Sequence, residues 1–174
     1  MASPWAHALA GAAAGALYQG PERRRVMTLA AVCAVVSDLD LIGWPFGVPF
    51  QAPLGHRGLT HSIPFAVLIG ITAAGVFLRM LPPRERIIAG VILILATATH
   101  SVLDALTTYS PTGPAFWAPF SNARYRFLWT PLTGAGGFRT SFGQEALYVC
   151  LPALVVIVGI AWWRRSRSPG DRTY

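Results

Sequence analysis

The chain contains 174 residues, of which 53% are hydrophobic and 12% are charged. This composition is too apolar for an ordinary soluble domain, and the length predicts a single domain. The formal net charge of +7 comes from arginines alone, because the chain has no lysine. Since these arginines flank apolar runs instead of lining one face, we expect no nucleic-acid partner.

Five apolar segments follow one another along the chain and predict an all-α, polytopic membrane helical bundle with about five transmembrane helices. Windows of about 19 residues place them at roughly 4–20, 26–43, 63–81, 87–108 and 145–163. Proline and glycine are dense in the connections at about 44–62 and 109–144, which predicts re-entrant or irregular loops. We expect one membrane-embedded domain over residues 1–165 and a flexible tail over 166–174.

The distribution of the arginines predicts the orientation of the bundle. Those on one side follow the first, third and fifth segments, and are Arg23, Arg24, Arg25, Arg79, Arg84, Arg86, Arg164, Arg165, Arg167 and Arg172. The opposite side holds Arg57, Arg124, Arg126 and Arg139. The positive-inside rule therefore predicts a multi-pass inner (cytoplasmic) membrane protein with its N-terminus and long loops outside and its C-terminus in the cytoplasm.

The acidic residues outside the tail fall into two groups. Those at the ends of apolar segments are expected to be solvated, namely Glu22, Glu85 and Glu145. Those inside apolar runs are Asp38, Asp40 and Asp104. Each costs about 2.5–3.5 kcal/mol at the centre of a membrane helix, and three would rival the stability of a typical domain, about 5–15 kcal/mol. Cations or protons must compensate these carboxylates.

Counting residues predicts that the buried polar groups meet at one depth. Between 13 and 16 residues separate the cytoplasmic arginine clusters from Asp38, His100 and His7. A helix rises about 1.5 Å per residue, so each lies about 20–24 Å from that end, in the outer third of a core about 30 Å thick. The "GHRGLTHS" loop, with His56 and His61, emerges on the same side. All four histidines are therefore expected near the three aspartates.

Local spacing adds detail and leaves alternatives open. His100 and Asp104 are four residues apart and share a helix face. Asp38 and Asp40 are two apart, so either the helix unwinds near "SDLDLIGWP" or one aspartate orients a histidine. A bend at Gly58 is expected to aim both histidines of the loop inward.

Seven residues form the predicted ligand set of a metal site. Histidine and aspartate favour zinc, with manganese or iron as alternatives, over calcium or magnesium. One zinc needs only three or four ligands, so the set predicts one or two divalent ions. Individually, His7 could be a packing residue, one aspartate a proton relay, and His100 with Asp104 an interhelical pair. The set is His7, Asp38, Asp40, His56, His61, His100 and Asp104.

Four motifs, "SDLDLI", "HRGLTHS", "HSVLDALTTY" and "APFSNARYRF", occur in this order. Together they resemble the pattern of the YdjM-like, LexA-regulated inner-membrane family of metal-dependent hydrolases, from about residue 7 to residue 127. The pair His100 and Asp104 is also similar to a ligand pair of zinc-dependent phospholipase C. The resemblance implies a membrane-embedded hydrolase that uses a metal.

The leading hypothesis is a metal-dependent phosphoesterase that acts on a membrane lipid or another anionic substrate at the outer leaflet. Arg57, Asp40 and His56 are the predicted catalytic residues, with Arg57 neutralising the substrate's charge. Arg124 and Arg126 either bind a lipid phosphate or snorkel to the interface. Thr60 and Ser62 are expected to hydrogen-bond ligands. A metal transporter, or a non-catalytic metal-binding membrane protein, is the alternative, and the oligomeric state stays open.

Overall fold

The computed structural model describes residues 2–108, 112–133 and 137–167, with backbone alone for 137–140. Residues 168–174 of the predicted tail lie outside the described residues, as do Arg172 and the side chain of Arg139. Within the described residues all regular secondary structure is helical, apart from one isolated bridge between Thr107 and Leu132, and the connections 47–58 and 112–133 are irregular. The predicted all-α membrane bundle is confirmed.

The helices begin and end where the local sequence dictates. They are α1 (Pro4–Ala16), α2 (Arg23–Val36), the 3₁₀ helices Ser37–Phe46 and Leu59–His61, α3 (Ile63–Phe77), α4 (Pro83–Ala105), α5 (Gly137–Glu145), the π turn Ala146–Cys150 and α6 (Leu151–Arg167). Ser3 caps α1 by accepting from the backbone N–H of Ala6, and Ser62 caps α3 by accepting from that of Phe65. The long 3₁₀ helix continues α2 directly, and the π turn joins α5 to α6.

Among the described residues, three helical stretches are long and apolar enough to cross a membrane, judged by length and composition, namely Arg23–Phe46, Pro83–Ala105 and Ser141–Arg167. The apolar helix α3 is shorter, with 15 residues, and α1 has 13. At about 1.5 Å per residue, these two helices cover roughly 20–22 Å of a hydrocarbon core about 30 Å thick. Both predicted segments are helical, but each helix reaches only part of the way across.

Small residues bring the first two helices into close contact. A methyl group at Gly11 would lie 2.5 Å from the carbonyl oxygen of Ala30, and one at Gly15 would lie 2.7 Å from the Cα of Met27. Glycines four residues apart on one helix face are a common device for close helix packing in membranes. The contact holds α1 against α2, and α1 also packs against α4, which brings His7 to the other polar residues.

A buried apolar core fills the half of the bundle nearest the arginine clusters. It includes Val26, Ala30, Ala74, Leu78 and Leu93, all buried. Along α4, the buried residues change from apolar to polar after Ala96, beginning with Thr97 and ending with Asp104. The polar residues therefore lie together at the opposite end of the bundle.

Candidate metal centre

The structure brings all seven predicted ligands together at one end of the bundle. They come from α1, the long 3₁₀ helix, the "GHRGLTHS" loop and α4. Six of them form three overlapping groups whose ligand atoms lie within 4.8 Å of one another. The groups are His7, Asp38 and His100; Asp38, His56 and His61; and His61, His100 and Asp104.

The 3₁₀ helix explains how two aspartates, two residues apart, both face the cluster. The α-helical part ends at Val36, and the tighter winding begins at Ser37. With three residues per turn, Asp38 and Asp40 point in different directions. Asp38 Oδ1 lies 3.3 Å from His100 Nε2, while Asp40 Oδ1 lies 2.8 Å from His56 Nδ1. Both alternatives left open by the sequence therefore hold: the helix changes its winding at Ser37, and Asp40 orients the rings of His56 and His61.

Three histidines are held by their Nδ1 atoms. His56 and His61 place Nδ1 at 2.8 and 3.1 Å from the two oxygens of Asp40, and His100 places Nδ1 2.6 Å from the carbonyl oxygen of Ala34. An acceptor at Nδ1 assigns a proton to that nitrogen and leaves the Nε2 lone pair for a cation. Histidines that bind metals are commonly oriented in this way.

The free ends of two of these rings converge with carboxylate oxygens. The Nε2 atoms of His61 and His100 lie 3.0 Å apart, and Asp104 Oδ2 lies 3.4 Å from the Nε2 of His61. Burial lowers the pKa of His61, but the negatively charged carboxylates of Asp104 and Asp40 beside it raise it to about 9 overall. This point in the bundle therefore attracts a cation, whether a proton or a metal ion.

His7 completes the cluster from α1. Its ring stacks on that of His100, with centroids 3.7 Å apart, and its Nε2 lies 3.7 Å from Asp104 Oδ1. Among the described residues, neither ring nitrogen of His7 has a hydrogen-bond partner, although the side chain is fully buried. A buried polar group without a partner is costly, and a ligand at His7 would remove that cost.

Arg57 forms an ion pair inside the cluster. Its side chain is fully buried; its Nε lies 3.1 Å from Asp104 Oδ2, and its Nη2 donates to Thr107 Oγ1 at 2.8 Å. In this geometry the guanidinium neutralises Asp104, and its predicted role toward a substrate stays a prediction. The backbone of the loop turns at Arg57, which has a positive φ of 64°, and not at Gly58 as expected. Gly58 is needed for a different reason, because a methyl group there would clash with the carbonyl oxygen of Pro53.

Other polar side chains near the cluster differ in their contacts. Arg124 donates to the carbonyl oxygen of His56 at 3.1 Å, whereas Arg126 is exposed. Thr60 hydrogen-bonds Asp40 and contacts the His61 ring, as expected for a group that supports ligands. Ser62 instead caps α3, so the prediction for Ser62 was wrong.

Several contributors carried no sequence signal. The carbonyl oxygen of Ala34 is a backbone group, and Ser101 donates to the carbonyl oxygen of His61 at 2.7 Å. Glu145, expected to be solvated, is buried and accepts from the backbone N–H of Ser3 at 2.8 Å and from its hydroxyl. Nothing local could reveal a partner 142 residues away.

The donor set fits a divalent transition-metal ion. When the imidazoles are neutral, the three carboxylates and one guanidinium give the cluster a net charge of about −2, which one divalent cation would balance. Both oxygens of Asp38 and of Asp104 are buried without a hydrogen-bond partner among the described residues. Imidazole and carboxylate donors suit zinc, manganese and iron. The identity and number of ions stay predictions.

Comparison with known proteins agrees with the motifs. A family model described as YdjM inner membrane protein matches residues 1–167. The chain is also 30% identical over 155 residues to "Inner membrane protein YbcI" of Escherichia coli (strain K12), a match covering 81% of this chain and 85% of the relative. At the same level of significance, no solved structure matches.

Proposed function

The chain belongs to the YdjM inner membrane protein family, and from this premise we propose that it is a membrane-embedded, metal-dependent hydrolase. Its preferred reaction is phosphoester cleavage in a lipid or another anionic substrate at the outer leaflet. Membership supports an inner-membrane location. The arginine distribution supports the orientation, with the cluster near the outer face.

One observation carries the proposal. The Nδ1 atoms of His56, His61 and His100 are all held by acceptors, and the Nε2 atoms of His61 and His100 meet at 3.0 Å beside Asp38 and Asp104. A purely structural cluster would satisfy its polar atoms internally. This one leaves both ring nitrogens of His7, Nε2 of His56 and the carboxylate oxygens of Asp38 and Asp104 without a hydrogen-bond partner among the described residues, while the Nε2 atoms of His61 and His100 are paired with each other.

The protein's own groups have separable roles in this proposal. Asp38, His61, His100 and Asp104 would hold the ion, with His7 and His56 completing the set. Asp40 orients two rings, and Arg57 limits the negative charge at Asp104. A bound divalent ion supplies a Lewis acid that polarises the scissile group and acidifies water.

The rival function is metal transport. A transport path needs polar groups on both sides of the site, yet the buried core in the half of the bundle toward the arginine clusters consists of alanine, valine, leucine and isoleucine, with Tyr18 and Cys33 as its other members. Thr97 lies where the buried residues of α4 become polar, and its hydroxyl donates to the carbonyl oxygen of Leu93 in the same helix. This one-sided polarity supports hydrolysis over transport.

The test compares His61→Ala with Thr97→Ala in protein purified in detergent. We expect metal by elemental analysis in the parent, and chelator-sensitive hydrolysis of lipid phosphoesters. Because outer-shell changes alone cost about 10–100-fold in metal affinity or activity, loss of the ligand in His61→Ala should cost more. Thr97→Ala alters a buried polar residue on α4, the helix that carries His100 and Asp104, and should retain both properties.

Two results would overturn the proposal. Parent protein without metal would remove the proposed cofactor, and hydrolysis that survives His61→Ala would place the chemistry elsewhere. Metal uptake into proteoliposomes without hydrolysis would favour the transporter instead.

A further inference from the structure

An apolar cavity lies beside the metal centre. Its volume is about 450 Å³, and its walls come from the N-terminal segment, the long 3₁₀ helix, the loop after it and the end of α5. Asp40 and His56 belong to both the cavity wall and the cluster. The apolar wall is formed mainly by Trp5, Leu41, Trp44, Val48, Phe50 and Phe142.

Most polar groups of the wall are paired with protein partners. Asp40 accepts from Thr60 and lies against His56, and Glu145 accepts from Ser3, while Nε2 of His56 has no hydrogen-bond partner among the described residues. Among the described residues that line the cavity there is no arginine and no lysine. The lining therefore favours an uncharged, apolar occupant whose polar end faces His56 and the candidate metal centre.

The position of the cavity indicates where its occupant comes from. Trp5 and Trp44 line it and remain 58% and 77% exposed. Exposed tryptophans in membrane proteins concentrate at the membrane–water interface. The cavity lies where α1 begins and the long 3₁₀ helix ends, which is the same end of the bundle as the cluster. Its occupant would enter from the membrane.

We propose that this cavity binds one hydrocarbon chain of a membrane lipid and thereby places the polar bond of that lipid beside His56. The inference rests on the proposed hydrolase function and narrows its substrate to a lipid. The volume lies in the range of small-ligand sites, about 300–1,000 Å³, and suits one chain better than a whole two-chain lipid. Soluble phosphoesters would lack this anchor.

The experiment uses a single-chain alkyl phosphate with a photoreactive diazirine near the chain end, incorporated into phosphatidylcholine vesicles with the full-length protein. Crosslinked peptides are then identified by mass spectrometry. Val48→Trp fills the cavity, while Val155→Trp adds the same bulk on α6, where Val155 is 62% exposed. We expect labelling of residues 41–50 and 141–145 to fall about tenfold in Val48→Trp, equivalent to about 1.4 kcal/mol of binding, and to persist in Val155→Trp.

Labelling needs no turnover, so the two proposals can fail separately. Labelled cavity residues in a protein that hydrolyses nothing would support the chain site and overturn the hydrolase. Labelling that Val48→Trp leaves unchanged, or that spreads evenly over the exposed faces of α3 and α6, would overturn the chain site. Lipid hydrolysis that is insensitive to Val48→Trp would also overturn it.

Discussion

The two ends of the bundle share the same helices but are stabilised in opposite ways. At the arginine end, Arg25 and Glu22 form an ion pair at 3.8 Å with both side chains about half exposed, above a core of small and aliphatic residues. At the other end, Arg57 and Asp104 pair at 3.1 Å with both side chains fully buried. The first end depends on packing and the second on compensated charge.

This difference indicates that the polar end contributes less to the stability of the fold than the apolar end does. Buried ion pairs seldom stabilise a fold more than apolar residues of the same volume would. A cluster with three carboxylates is therefore expected to have a purpose beyond folding, and the apolar end supplies the packing that tolerates it.

The largest expected effect comes from removing the charge partner at the polar end. Arg57→Ala leaves Asp104 buried without its guanidinium, which should lower the free energy of unfolding by about 3–5 kcal/mol. Arg25→Ala, at the exposed pair, should cost about 0–1 kcal/mol. Chemical unfolding in detergent measures both variants. Equal losses would show that the two ends do not differ as described.

The next effect should arise at the apolar end. Leu93 is fully buried in the core, and Leu93→Ala should cost about 2 kcal/mol, the lower end of the range for core truncations. We expect the lower end because lipid surrounds the bundle, and moving apolar surface from lipid into the protein interior releases little free energy. Metal affinity, measured by titration, should stay within about twofold of the parent, a change of about 0.4 kcal/mol, because Leu93 lies in the apolar core and is not one of the predicted ligands. A larger loss of affinity would show that the two ends are coupled.

The sequence predicted which polar residues of the helices meet, because helical rise is regular. Counting from the arginines placed His7, Asp38 and His100 together, and the structure agrees. The direction of Arg57 could not be predicted, because it depends on a positive φ and on Thr107, 50 residues away. The sequence left open whether the helix unwinds or Asp40 orients a histidine. The answer depends on the 3₁₀ winding, which the following Gly43 and Pro45 permit but do not require.

A change at a supporting carboxylate sharpens the distinction within the polar end itself. Asp40→Asn keeps the shape of the side chain but weakens its hold on His56 and His61, so metal affinity should fall about 10–100-fold, or about 1.4–2.7 kcal/mol. The matched control is Glu145→Gln, which alters another buried carboxylate at this end, where Ser3 is the partner. It should lower stability and leave metal affinity unchanged. If both variants lose affinity alike, general distortion of this end explains the loss; if Asp40→Asn loses as much as His61→Ala, Asp40 itself binds the ion.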